Sequence, residues 1–220
     1  MPSPTIQHDE VQIQASGVVL DGTLTLPPDA RGLVIFAHGS GSSRFSSRNR
    51  SVADTLHQSG LGTLLFDLLT AQENRIDELT RHYRFDIERL SQRLAGTIDW
   101  AQSHSLAKEL PVGLFGASTG AAAALVAAAL RPRAVAAVVS RGGRPDLAGE
   151  FLPRVQAPTL LIVGGRDEPV IDINREAAAL LKAEHQIEIV PGATHLFEEA
   201  GTLEQVARLA GDWFARHLAG

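Results

Sequence analysis

The sequence contains no cysteine. That excludes disulfides, a thiolate nucleophile and every Cys-ligated zinc or iron–sulfur site, although it assigns no redox compartment. Lysine is almost missing: of 20 basic residues only Lys108 and Lys182 are Lys. Basic residues are also outnumbered by 25 acidic ones, for a net charge of −5, so nucleic acid finds no electrostatic footprint here. Long apolar runs are lacking too. The longest, Ala121 to Leu130, is mostly alanine and about half the length of a membrane span. The opening MPSPTIQHDE has no basic stretch leading into an apolar one, so no signal peptide is read there. A cytoplasmic chain without membrane or nucleic-acid partners is the expectation. Heptads, internal repeats and low-complexity linkers are likewise absent, and no domain boundary shows.

What remains is a chain of 220 residues with 44% hydrophobic and 20% charged residues. That is ordinary for one folded α/β domain, here taken as residues 1–220. Residues 11–26 read as a hairpin, with Asp21-Gly22 as turn chemistry between VQIQA and TLTLP. The pattern then changes. LVIFAHG (33–39), GTLLFDLL (62–69), VGLFGAS (112–118), AVAAVVS (134–140), TLLIVGG (159–165) and IEIVPG (187–192) are short apolar runs ending in Gly, Ser or Asp. Strands that are apolar throughout are buried on both faces, as in a parallel sheet covered by helices. Helical spacing recurs over 48–59, 84–103 (Phe85, Ile87, Leu90, Leu94, Ile98, Trp100), 121–130 and 175–183. A last helix is expected to open with a capping box of Thr202 and Gln205. The fold class predicted is α/β, with a mostly parallel sheet of about eight strands and helices on both faces.

The sharpest local feature is Gly116-Ala117-Ser118-Thr119-Gly120, set between an apolar strand and an alanine-rich helix. This is G-x-S-x-G in strand–turn–helix context, where small residues permit a tight turn that lifts the serine hydroxyl above the sheet. A hydroxyl is a poor nucleophile without a base, and the base needs an orienting partner. The chain supplies both in order: Asp167 just beyond the 159–165 strand, and His195 in the loop after 187–190. In a parallel sheet these strand ends share one edge, where ligands bind. An oxyanion needs two amide donors. Thr119 N–H follows the nucleophile, and Ser40 N–H comes from the loop HGSGSSR (38–44) after the first parallel strand, where Gly39 lets the backbone approach substrate. A phosphate cradle is the rival for that loop, but it lacks the lysine and the G-x-G-x-x-G spacing. His38 is expected to hold the loop rather than act as a base, and Asp67 to position neighbouring loops. Glu168, Glu198 and Glu199 read as solvated. No metal-ligand set and no cofactor are implied.

HGSGSS (38–43), GASTG (116–120), GGRDEP (164–169) and GATHLF (192–197) together resemble the dienelactone-hydrolase-like group of α/β-hydrolases, over nearly the whole chain and in family order. The resemblance implies an α/β-hydrolase fold with Ser118 as nucleophile, Asp167 as acid, His195 as base and Ser40 and Thr119 as oxyanion donors. Dienelactone hydrolase itself uses Cys where this chain has Ser118, which points to an esterase of the serine type. SSRFSSRNR (42–50) and SRGGRPDLAG (140–149) resemble a bacterial subgroup, some members of which are attached to phosphoribosyltransferase domains. Many such hydrolases carry a lid between the sixth and seventh strands. The interval Arg141 to Pro158 is only eighteen residues and must hold a crossover, so little or no lid is expected; Leu68–Arg84 is the other place for an added element. The substrate expected is a small or polar carboxylic ester or thioester, taken by a monomer or homodimer. Arg44, Arg48, Arg141 and Arg144 lie near the strand ends and are candidates for binding an anionic group on it; the competing reading is structural pairing with Asp54, Asp67, Asp146 or Glu150. The same triad would serve a C–C hydrolase, a dienelactone-type hydrolase, a lyase or a perhydrolase. A non-catalytic binding protein on this scaffold would have no need of all three residues.

Overall fold

The computed structural model describes residues 5–218. Residues 1–4, part of the stretch read as leader-free, and residues 219–220 lie outside the described residues. Strands β1 (Gln7–Ala15) and β2 (Val18–Leu26) come first, then β3 (Leu33–Ala37), helix α1 (Ser47–Gln58) and β4 (Gly62–Phe66). Helices α2 (Ala71–Thr80) and α3 (Ile87–Ser103) precede β5 (Val112–Ala117), α4 (Thr119–Leu130) and β6 (Val135–Arg141). A 3₁₀ segment (Pro145–Arg154) leads to β7 (Thr159–Gly164), α5 (Glu168–Ala178), β8 (His185–Val190) and α6 (Thr202–His217).

The eight strands form one sheet in the order β1-β2-β4-β3-β5-β6-β7-β8. Only the β1–β2 and β2–β4 pairs are antiparallel; β4, β3, β5, β6, β7 and β8 run parallel. Strands β3, β4, β5 and β7 are buried along their whole length, as continuous apolar runs require. One face carries α1 and α6, whose Val52, Leu56, Val206 and Phe214 pack on Val34, Phe36, Phe115 and Ile162. The other carries α3, α4 and the apolar end of α5, packed on Ile35, Leu64, Leu114 and Val138. Each fully buried Leu, Ile or Phe contributes about 1.5–3 kcal/mol relative to exposure. Among the described residues no helix is long and apolar enough to cross a membrane.

Three local expectations are corrected. The hairpin turns at Ser16-Gly17, with φ of 50° and 77°, not at Asp21-Gly22. Two positive φ values are what a two-residue turn matching the strand twist demands. Gly22 instead sits inside β2, where a Cβ would come within 2.9 Å of Ile13 Cδ1. The cap of α6 is Gly201 in the left-handed region, and Thr202 Oγ1 donates backwards to Glu199 O at 2.7 Å, so no box forms there. The box occurs at α2 instead, between Thr70 and Glu73. Finally, α5 starts at Glu168 rather than near 175. Pro169 does not block it, because the first turn needs no internal amide donor.

Candidate active site

Ser118 sits at the junction of β5 and α4 with φ 52° and ψ −120°. A non-glycine residue with such a backbone is strained by roughly 1–3 kcal/mol. The surroundings fix it there. Ser118 N–H donates to Arg141 O at 3.1 Å, and Ser118 O accepts from Arg144 N–H at 3.1 Å. A Cβ on Gly116 would lie 2.4 Å from Ala121 Cα, and one on Gly120 would lie 2.2 Å from Ala37 O. Both contacts are with backbone, so neither can be relieved by turning a side chain. The two glycines are therefore steric requirements of the turn. Gly39 plays a related part: its Cβ position is 3.3 Å from Ser118 Cβ, so the loop after β3 lies directly against the elbow.

Asp167 and His195 are brought together by two stitched loops. Gly164 ends β7, and a Cβ there would meet Ala193 O at 2.5 Å; the loop after β8 crosses at that point. Arg166 N–H donates to Ala193 O and Gly165 N–H to Val190 O, both at 2.9 Å. Asp167 is the N-cap of α5, but its carboxylate bonds no helix amide. It faces His195, with Oδ2 2.6 Å from Nδ1. A carboxylate can only accept, so the neutral ring carries its proton on Nδ1 and leaves the Nε2 lone pair open. The imidazole reaches the strand end beside the serine: a Cβ on Gly142 would be 3.6 Å from His195 Cε1, and residue 142 follows the carbonyl that Ser118 N–H bonds. Glu199, read as solvated, braces this loop instead. It accepts from Thr194 N–H at 3.0 Å and Thr194 Oγ1 at 2.6 Å, and these bonds hold its carboxyl below the usual range.

Thr119 opens α4, where an amide has no partner within the helix. Ser40 lies in the turn closed by Ser42 N–H donating to Gly39 O at 3.2 Å. Ser40 and Thr119 line one narrow cleft with His38, Leu69 and Arg84. An adjoining cavity of about 300 Å³ runs past His38, Ser42, Phe45, Asp67 and Leu69. His38 ties the loop down as expected. Its Nε2 accepts from Leu68 N–H at 3.1 Å, which puts the ring proton on Nδ1, donated to Gly39 O at 3.0 Å. Burial lowers its pKa, keeping it neutral.

The four arginines named from the sequence separate. Arg44 is taken by Asp67, which also accepts Arg44 N–H at 2.7 Å; Asp67 thus positions the loop. Arg144 forks onto Asp146 through bonds of 2.9 and 2.6 Å. Arg48 reaches Glu198 at 3.4 Å on the surface. Arg141 meets no carboxylate. None of the cleft residues from α2 and the turn after it, of which Arg84 is the cation, is singled out by the sequence. Arg84 is gripped by Asp77 through Nε and the backbone N–H at 2.7 and 2.9 Å, and its Nη1 lies 3.1 Å from the Cβ position of Gly41. Arg84 lies in the turn between α2 and α3, and the gripping carboxylate is seven residues earlier on α2; neither residue stands in a motif that signals the pair.

Comparison with known proteins places the chain in a family. The model of the dienelactone hydrolase family matches residues 20–217. A crystal structure of dienelactone hydrolase from Anabaena variabilis is 56% identical, covers 96% of this chain and 98% of its own, and superposes with a TM-score of 0.95. Est1E from Butyrivibrio proteoclasticus, at 19% identity over 96% of this chain and 99% of its own, has a TM-score of 0.78 and shares the fold. Two Mycobacterium tuberculosis proteins named "Putative phosphoribosyl transferase" are 57% identical over 99% of this chain, which spans 48% of their length. The chain belongs to the dienelactone hydrolase family, a family of hydrolases built on the α/β-hydrolase fold.

Proposed function

We propose that this hydrolase cleaves a small or polar carboxylic ester or thioester through an acyl-enzyme on Ser118. The observation that carries the reading is the 2.6 Å pairing of Asp167 with His195, delivered by separate strands to the rim where the strained Ser118 stands. His195 Nε2 takes the proton of Ser118 Oγ as the oxygen attacks the substrate carbonyl. The amides of Ser40 and Thr119 hold the resulting oxyanion. Collapse expels the alcohol or thiol, which leaves with the proton from the imidazolium. Water, deprotonated by His195, then attacks the acyl group; the acid departs and Ser118 recovers its proton. Asp167 orients the ring and stabilises its charged form.

The cavity beside the oxyanion loop, about 300 Å³, favours a small substrate. So does the crossover after β6, where a ten-residue 3₁₀ segment stands in place of a lid. The Anabaena variabilis structure favours a cyclic ester as the second reading, which the same chemistry opens. The transferase name of the mycobacterial proteins belongs to chains about twice as long; we assign the hydrolase chemistry to the half this chain matches.

A fluorophosphonate probe tests the mechanism. Labelling at Ser118, together with a loss of at least ~10³-fold in turnover of a short p-nitrophenyl ester by Ser118→Ala, is the expected result. Wild-type turnover in that variant would remove the nucleophile assignment. Absence of labelling in the parent chain would favour a binding protein on this scaffold.

A further inference from the structure

Arg141 closes β6 with its side chain on the α1 face of the sheet. Only 7% of the residue is exposed. One nitrogen, Nη2, finds Asn49 Oδ1 at a long 3.4 Å, while Nε and Nη1 are buried without a partner. Among the described residues no carboxylate offsets the charge, and its charged neighbour is another cation, Arg48. Burial first, and Arg48 second, push its pKa down to about 10, so it stays charged at neutral pH. An uncompensated buried guanidinium destabilises a fold by several kcal/mol unless something occupies it. The other paired arginines of this chain show that carboxylates were at hand: Arg44, Arg84, Arg93 and Arg144 each have one.

The place where Arg141 ends is suited to negative charge. Asn49 and Arg48 belong to the first turn of α1, and no acidic residue stands in that turn. Ser46 Oγ caps only Asn49 N–H, which leaves the earlier amides open. Arg48 is tied only to exposed Glu198, at 3.4 Å, a surface pair worth little, so it can swing to admit a ligand and then close on it. The Arg141 carbonyl is bonded by Ser118 N–H, so the strand end that carries this guanidinium adjoins the candidate nucleophile. We propose that Arg141, Arg48 and the first turn of α1 form a binding subsite for a small oxyanionic group, carboxylate or phosphate. The group is either the acid end of the substrate or a free inorganic anion. The first case rests on the hydrolase reading above; the second does not.

Inorganic phosphate, titrated calorimetrically into the whole chain at low ionic strength, is the direct probe. Saturable binding is expected, weakened at least ~10-fold by Arg141→Met, as loss of a charge-assisted bidentate contact requires. The melting temperature of phosphate-free Arg141→Met should equal or exceed that of the parent, because a buried unpaired charge has gone. The two sources separate by kinetics with a p-nitrophenyl ester whose acyl chain ends in a carboxylate, and its carboxamide counterpart. If phosphate competes with the anionic ester alone, and Arg141→Met lowers the anionic-to-neutral ratio of kcat/KM, the substrate's acid end fills the site. If phosphate binds but does not compete, the ligand is a free anion. No saturable phosphate binding to the parent chain overturns the proposal. So does a variant that binds phosphate equally well but melts lower, since the guanidinium would then be structural. A chain that binds phosphate through Arg141 yet hydrolyses neither ester would instead count against the Ser118 mechanism alone.

Discussion

Helices α4 and α2 both border the candidate active site, and they are held there by opposite means. Of the twelve residues of α4, the eleven from Thr119 to Ala129 are buried, and all are Ala, Gly, Leu, Val or Thr. Of the ten residues of α2, one is buried, and it is the carboxylate Asp77. Its Leu79 is 88% exposed. Helix α4 is positioned by van der Waals contact, with small side chains that let it lie close on the sheet. Helix α2 is positioned by charge: Asp77 grips Arg84, and Glu73 grips Arg93 and Arg89. The candidate active site thus rests on close packing. The wall of the cleft rests on ion pairs, which respond to pH and salt.

Gly120→Ala breaks the packed side of this contrast and carries the largest effect. The new methyl would fall 2.2 Å from Ala37 O and 2.6 Å from His38 O, so α4 or the loop after β3 must move. A loss of about 3 kcal/mol or more in urea denaturation is expected, with esterase turnover falling alongside it. The deficit should not vary with pH, since no titratable group takes part. Full activity in a stable Gly120→Ala variant would show that the elbow tolerates displacement.

Asp77→Asn tests the charged side. The carboxylate accepts Tyr83 N–H, Arg84 N–H and Arg84 Nε at 2.8, 2.9 and 2.7 Å. Burial alone would raise its pKa, but the bonds from Arg84 and Tyr83 outweigh that and hold it low. Removing the charge is expected to cost about 2–3 kcal/mol, felt locally. Amide hydrogen exchange should quicken across residues 71–86 and stay slow in α4. Uniform quickening through both helices would mean that the two regions form one cooperative unit.

This contrast also governs what could be read from the sequence. The parallel strands were legible because burial on both faces leaves an unbroken apolar run. The elbow was legible because backbone sterics admit only small residues at 116 and 120, and Asp167 and His195 followed from strand order. The hairpin turn was not legible: Ser16-Gly17 and Asp21-Gly22 are both sound turn chemistry, and the choice is made by pairing of β2 with β4, which places Gly22 opposite Phe66. Helix α2 has no apolar stripe to reveal it, and its Ile76 and Leu79 face water. The arginines were legible in part: pairing with Asp67 and Asp146 was one of two readings, and Arg44 and Arg144 take it. Which arginine meets a carboxylate, as Arg44 does, and which meets only an amide oxygen, as Arg141 does, depends on which loops converge, and spacing along the chain does not record that.

Glu73 gives the smallest effect and the most selective one. Its carboxylate takes bonds of 2.7 and 2.8 Å from Arg93 and one of 2.9 Å from Thr70 N–H. Chiefly through Arg93, these lower its pKa from 4.5 to about 2. A carboxyl depressed on folding contributes stability that is complete above its unfolded value and is lost as pH falls through the folded one. The contribution is therefore full above pH 4.5 and fades toward about 2. Glu73→Gln keeps the capping-box geometry and removes the charge. Discounted for the water that Glu73 borders, the expected cost at neutral pH is about 1 kcal/mol. The parent and variant denaturation midpoints should then converge between pH 4.5 and 2, whereas the Gly120→Ala deficit persists through the same range. Parallel acid profiles for Glu73→Gln and the parent would remove charge as the anchor of α2, and with it the contrast between the two helices.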